Sequence, residues 1–129
     1  MKKKRLNKLF IVATEQSGDN IGYSVLKELK KHYPYLKIDG IGGELMKPLM
    51  RNQFFSLKDF KSIGIVEIIF SIKKYINIIN FLVKLIIKNK YDLILTIDSP
   101  DFNYPLVNKL RKKGFNKKIF HIVAPTVWA

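Results

Sequence analysis

The sequence predicts an α/β fold, a mostly parallel sheet with helices on both faces. Two observations carry that reading. Short apolar runs alternate with longer segments of helical period along the whole chain. The runs are near-continuous in apolar character, as strands buried on both faces must be, and right-handed crossovers join such strands. A third observation limits the size: 129 residues with 47% apolar content make one domain able to bury a core.

Taken in order, Lys8 to Thr14 (KLFIVAT) is rich in branched and aromatic residues and reads as a strand. SGDNIG turns the chain into a helix over Ile21 to His32, with Val25, Leu26 and Leu29 on one side and Pro34 ending it. Leu36 to Ile41 is a second strand closed by glycines, Glu44 to Arg51 a short helix, and Phe54 to Leu57 a short strand. The longest periodic segment runs from Gly64 to about Lys90. Tyr91 to Ile97 is the third clear strand. Asn103 to Lys113 is a helix capped by Gly114, with Pro105 tolerated only in its first turn. Lys118 to Val123 is the last strand.

The net charge is +14, from 24 Lys and Arg against 10 Asp and Glu. Such an excess suits an anionic partner: nucleic acid, a lipid surface or a phosphorylated substrate. Yet 21 of the 24 cations are lysine, in a chain with 18 Ile and 9 Asn, a usage that spreads lysine over any solvated surface. No nucleic-acid module is recognisable, and lysine lacks the planar fork that reads bases. No nucleic-acid partner is therefore expected. The absence of cysteine excludes disulfides and thiolate metal sites and suits a cytoplasmic protein. Met1 to Arg5 is charged like the start of a signal peptide, but the run from Leu9 to Ala13 is too short for its core. No secretion signal is expected.

In a parallel sheet of this kind ligands bind beyond the carboxyl ends of the strands. Four loops then lie at the functional edge: ATEQSGDNIG, GIGGELM, IDSPDF and VAPTVWA. In the first, Ser17 and Gly18 offer a helix start with free N–H groups, while Ser17 or Asp19 reads equally as the helix cap. Glu15 caps nothing obvious. GIGG is not a dinucleotide fingerprint. His121, inside a strand, reads as a hydrogen-bonded core residue and His32 as a helix end, so no metal site is expected. Trp128 is packing or a substrate wall. Asp98 differs, because a strand end followed by Ser-Pro fixes its carboxylate at the ligand edge, partly desolvated, as a candidate general base. Asp101 is better placed to serve the next helix.

Read together, these segments resemble lipid-A-disaccharide synthase over its N-terminal half. The matching pieces are Glu15-Gln16-Ser17-Gly18-Asp19, Gly40-Ile41-Gly42-Gly43 through Met46, Ser62 to Glu67, Ile97-Asp98-Ser99-Pro100-Asp101-Phe102-Asn103, and Val123 to Ala129. Thr14 stands where the family usually has glycine. The resemblance implies a Rossmann-like N-terminal domain of a two-domain, GT-B type glycosyltransferase. It implies a single domain over 1–129, with the donor-binding domain absent and the chain a truncated half. The implied reaction condenses UDP-2,3-diacylglucosamine with 2,3-diacylglucosamine 1-phosphate, giving lipid A disaccharide 1-phosphate and UDP in Gram-negative envelope synthesis. No cofactor or metal is implied. Asp98 is the matching catalytic base, and Glu15, Ser17, Gly18, Asp19, Gly42, Gly43 and Asp101 are implied substrate-binding residues. The acceptor phosphate and the anionic leaflet would give the positive charge a role. A separate C-terminal half or a homo-oligomer would complete the enzyme, and the competing reading is an inactive remnant or a binding module without catalysis.

The long helix carries a further expectation. Ile65, Ile68, Ile69, Ile72, Ile76, Ile79, Val83 and Ile86 recur as a core stripe, and Val66, Phe70, Ile78, Phe81 and Leu85 fall outside it. Glu67, Ser71, Lys73 and Lys74 interrupt the run, so it does not span a bilayer. Its start, with Val66, Ile68, Ile69, Phe70, Ile72 and Ile76, is expected either to lie under a second layer of protein or to dip into the membrane interface. The second option places the protein in the cytoplasm, peripheral on the inner membrane.

Overall fold

A computed structural model describes residues 6–61 and 65–124, with side chains described over 6–61 and 72–124. Strands β1 (Lys8–Ala13), β2 (Lys37–Gly42), β3 (Asn52–Ser56), β4 (Leu93–Ile97) and β5 (Lys118–Ile122) form one sheet in the order β3-β2-β1-β4-β5. Every pairing is parallel. The crossovers are α1 (Gln16–His32), α2 (Ile65–Asn89) and α3 (Pro100–Lys112). This is the Rossmann-like arrangement, with the order of strands reversing between β1 and β4.

The side-chain period of 2 divides the central strand between two cores. Leu9, Ile11 and Ala13 of β1 meet Leu26 of α1, together with Ile38, Leu95 and Ile97. Phe10 and Val12 point the other way, into Ile79, Leu82, Val83 and Ile86 of α2 and Phe102, Leu106 and Leu110 of α3. All five residues Leu9 to Ala13 are fully buried, which explains why the run is apolar without alternation. Gly40 of β2 shows why that position is glycine: its φ is +151°, and a Cβ there would strike the Ile11 carbonyl of β1.

Several boundaries differ from the sequence reading. Helix α1 begins at Gln16, not Ile21, so SGDN lies within its opening turns and neither Ser17 nor Asp19 is the cap. Glu15 holds the cap position with an extended backbone and no side-chain bond. Helix α3 begins at Pro100 and takes Pro105 into its second turn. Asp101, whose carbonyl loses its helical partner there, and Pro105 are both exposed residues. Only Lys47–Leu49 of the expected 44–51 helix is helical, as a 3-10 turn, and β3 starts two residues earlier than expected.

The stripe on α2 is corrected too. Ile72 and Ile76 are exposed, at 57% and 52%, while Ile78 and Leu82 are buried. Ile79, Val83 and Ile86 of the stripe are buried as expected, so the departure lies at Ile72 and Ile76 and in Ile78 and Leu82, which join the core. Phe81 is half-exposed and lies edge-on against Phe54 and Phe55. Among the described residues no helix is long and apolar enough to cross a membrane.

Candidate functional site

At the reversal point Ala13 pairs with Ile97, and the chain leaves both strands on the same edge. Just beyond, the buried hydroxyls of Thr14 and Ser99 meet at 2.7 Å. Asp98 and Ser99 both adopt left-handed backbone, with φ of 49° and 45°. Such conformations cost roughly 1–3 kcal/mol each and persist only where surrounding contacts impose them. Here the contacts are visible. The Asp98 N–H donates to the Ile122 carbonyl at 2.8 Å, and the Asn103 amide donates to the Asp98 carbonyl at 2.7 Å and the Ile97 carbonyl at 3.3 Å. The N–H groups of Phe102 and Asn103 both donate to the Ser99 carbonyl.

The Asp98 side chain is held as well. Its Oδ1 accepts the Ala124 N–H at 2.7 Å, tying the end of β4 to the end of β5. Among the described residues Oδ2 accepts no hydrogen bond. The result is a half-buried carboxylate fixed in backbone and rotamer with one oxygen uncommitted. That geometry suits a general base.

Opposite it stands the start of α1. The first helical bond runs from Asp19 N–H to the Glu15 carbonyl, so the N–H groups of Gln16, Ser17 and Gly18 have no partner within the helix. Gly18 is buried, and a Cβ on it would lie 3.2 Å from that of Ala13 and 3.5 Å from Ile97. The absent side chain lets the helix start press against β1 and β4. Ser17 and Glu15 are exposed at the mouth.

Asp19 is fully buried and serves a loop. Its Oδ1 accepts the N–H groups of Gly43 at 2.8 Å and Met46 at 3.1 Å, and its Oδ2 that of Leu45 at 3.1 Å. Met46 fills the slot this creates, 2.5 Å and 2.8 Å from where a Cβ on Gly22 or Gly42 would stand. The SGD and GIGG-to-Met46 segments are thus one unit, with Asp19 as its clasp. What Asp19 offers a ligand passes through the loop it holds.

Asp101 is exposed in the first turn of α3, where its charge complements the helix dipole. It also acts on a residue the sequence reading missed. Tyr75 on α2 donates to the Phe60 carbonyl at 3.1 Å and packs against Phe60 and Phe102, with ring centroids 5.4 and 5.5 Å away. Burial, then the negative charges of Asp101 and Glu15, raise its phenol above the ordinary range. Tyr75 therefore belongs to the same edge as Asp101 and Glu15, placed there by α2. No local sequence signal marks it. Asn103 was likewise missed as a positioning group, although it lies within the quoted motif; its Oδ1 is buried without a partner among the described residues.

His121 shares a 2.7 Å hydrogen bond with Thr96, and its ring lies tilted against that of Tyr104 with centroids 5.2 Å apart. His32 is exposed in the last turn of α1. Among the described residues no three His, Asp or Glu groups cluster as metal ligands. Ile72 and Ile76 stand exposed beside Lys73 and Lys74. The side chains of Val66, Ile68, Ile69 and Phe70 lie outside the described residues, as do Ser62 to Gly64 and the Pro125 to Ala129 segment with Trp128.

Charge is divided between the two edges. Glu15, Asp19, Glu44, Asp59, Asp98 and Asp101 all follow strand carboxyl ends. Lys8, Lys37 and Lys118 open strands at the other edge, joined there by Lys30, Lys31, Lys88, Arg111 and Lys112 in the last helical turns. Much of the excess positive charge therefore sits away from Asp98.

A family model described as lipid-A-disaccharide synthetase matches residues 9–129. A lipid-A-disaccharide synthase of Rickettsia typhi is 40% identical over 96% of this chain and 33% of its own length. One from Chlamydia trachomatis serovar D is 35% identical over 95% of this chain and 20% of its own length. One from Colwellia psychrerythraea is 36% identical over 92% and 30%. The chain thus spans a fifth to a third of these relatives.

Proposed function

Because the chain belongs to the lipid-A-disaccharide synthetase family, we propose that it is the acceptor side of a GT-B type glycosyltransferase, with Asp98 as the base. The acceptor sugar, 2,3-diacylglucosamine 1-phosphate, lies in the crevice between the start of α1 and the end of β4. As its 6-hydroxyl attacks the anomeric carbon of UDP-2,3-diacylglucosamine, Asp98 Oδ2 takes the hydroxyl proton, and UDP departs with the bonding pair. Glycosidic bond formation and carbon–oxygen cleavage then balance, giving lipid A disaccharide 1-phosphate.

One observation carries this reading: a strained, oriented Asp98 at the strand-order reversal, with one carboxylate oxygen uncommitted among the described residues. Glu15 and Ser17 meet the acceptor at the mouth, and the free N–H groups at Gly18 favour its anionic end. Gly42 and Gly43 shape the adjoining wall, which Asp19 holds from behind. Asp101 orients the edge through its charge. The donor is gripped by the part of the enzyme that corresponds to the rest of the relatives' length. Exposed Ile72 and Ile76, flanked by Lys73 and Lys74, fit a peripheral seat on the anionic inner-membrane surface from the cytoplasmic side.

The experiment joins this chain to the remaining segment of the Rickettsia relative. Disaccharide formation by the chimera, with no product and no UDP binding by the chain alone, is the expected result. A folded chimera without product, or tight UDP binding by the isolated chain, contradicts the assignment.

A further inference from the structure

A cavity of about 380 Å³ opens at the edge of the sheet opposite Asp98. It forms where α2 ends (Ile86, Ile87, Lys90), where the chain enters β4 (Tyr91, Asp92), and where α3 hands over to β5 (Lys113 to Lys117). Its floor is apolar and buried, made by Ile86, Tyr91 and Phe115. Its rim carries the exposed side chains of Lys90, Lys113 and Lys117. The volume falls at the lower end of small-molecule sites, roughly 300–1,000 Å³.

Lysines near helix ends ordinarily answer the carbonyls exposed there. Other groups fill that role in this protein. Asn89 covers the Leu85 carbonyl at 2.7 Å, and Lys8 covers that of Asn89 at 2.5 Å. Arg111 donates to the carbonyls of Phe115 at 2.9 Å and Lys117 at 2.8 Å. The carboxylate in the lining, Asp92, accepts the N–H groups of Asn7 and Lys8 on its Oδ2. Among the described residues no ion pair involves Lys90, Lys113 or Lys117. Lys90 also holds a left-handed φ of 53° just past α2, where glycine or asparagine is usual. Strain of this kind gathers at ligand clamps.

We propose that this cavity binds a small phosphate-bearing molecule, its phosphate on the three ammonium groups and its apolar part on Ile87 and Phe115. Compact lysine charges suit a phosphate contacted from several sides, without the flat pairing that arginine imposes. A soluble phosphomonoester and the phosphomonoester headgroup of a lipid present the same chemistry.

The test titrates phenyl phosphate into the ¹⁵N-labelled chain at constant ionic strength. Saturable shifts confined to the amides of Lys90 to Asp92 and Lys113 to Lys117 are expected. The Lys90→Gln, Lys113→Gln, Lys117→Gln triple variant should keep its amide dispersion and bind at least tenfold more weakly. Should the triple variant lose its fold, the three single variants each give the same reading through a smaller loss. Vesicles of phosphatidic acid in phosphatidylcholine separate the sources. Vesicle capture lost in the variant assigns the lipid headgroup, and phenyl phosphate binding without capture assigns a soluble ligand. Absence of saturable binding, shifts spread over all surface lysines, or unchanged affinity in the folded variants would overturn the proposal.

Discussion

The hydroxyl of Thr14 donates a 2.7 Å hydrogen bond to the hydroxyl of Ser99, joining the ends of β1 and β4 across 85 residues of sequence. Both groups are buried, so this contact fixes the spacing of the crevice walls where the strand order reverses. Thr14→Val keeps the volume but removes the donor. It should lower stability by about 1 kcal/mol, read as a shifted urea midpoint. Because Ser99 adjoins Asp98, turnover in the chimera should also fall. An unchanged midpoint would mean that the Ser99 hydroxyl finds another partner at no cost.

Asp19→Ala removes the acceptor for three backbone N–H groups at a fully buried position. The expected loss is about 3 kcal/mol or more, because those donors are left without water. Asp19→Asn should lose less. Hydrogen exchange locates the effect: the amides of Gly43, Leu45 and Met46 should lose protection before the sheet does. Equal exposure of the whole chain would show that the clasp is not local.

The acid limb of the stability curve should depend on Asp39. Burial of this carboxyl works to raise its pKa, but hydrogen bonds from Arg51 and Tyr91 outweigh it and hold the pKa below the ordinary range. A carboxyl depressed on folding stabilises the native state above its unfolded pKa, and that contribution disappears as pH falls through the folded value. Denaturant midpoints should therefore drop on acidification, and Asp39→Asn should flatten that limb while costing about 1–3 kcal/mol at neutral pH. An acid limb identical in the variant would remove Asp39 from the account.

Ile72→Ser together with Ile76→Ser should leave the fold intact, since both side chains are exposed. The variant should be more soluble and bind anionic vesicles less. Unfolding would place both residues under protein cover, and unchanged vesicle binding would exclude this part of α2 from the membrane seat.

The fold was legible because the central strands β1 and β4 carry their burial in their composition, whereas the edge strands β3 and β5 are only partly buried. Helix starts were less legible. Glu15 caps α1 without a side-chain bond, so no Ser, Thr, Asp or Asn marks the boundary; Ser17 and Asp19 offer themselves as caps in the sequence, whereas the partners of Asp19 lie in the loop after β2. Pro105 misplaced the start of α3 because proline is expected only in a first turn, whereas the helix already begins at Pro100. At the site, Asp98 was visible as an acid ending an apolar run. Thr14, Tyr75 and Asn103 were not, because each acts through a contact made by the folded chain. The Asp39, Arg51 and Tyr91 network escaped for the same reason.

The central claim is that Asp98 takes the acceptor proton, and Asp98→Asn in the chimera tests it most directly. The amide can still accept the Ala124 N–H through its oxygen, so the local backbone should hold. With fold and acceptor binding verified, turnover at neutral pH should fall by roughly 100- to 10,000-fold, the contribution of general base catalysis. Turnover within a few-fold of the parent would contradict the assignment.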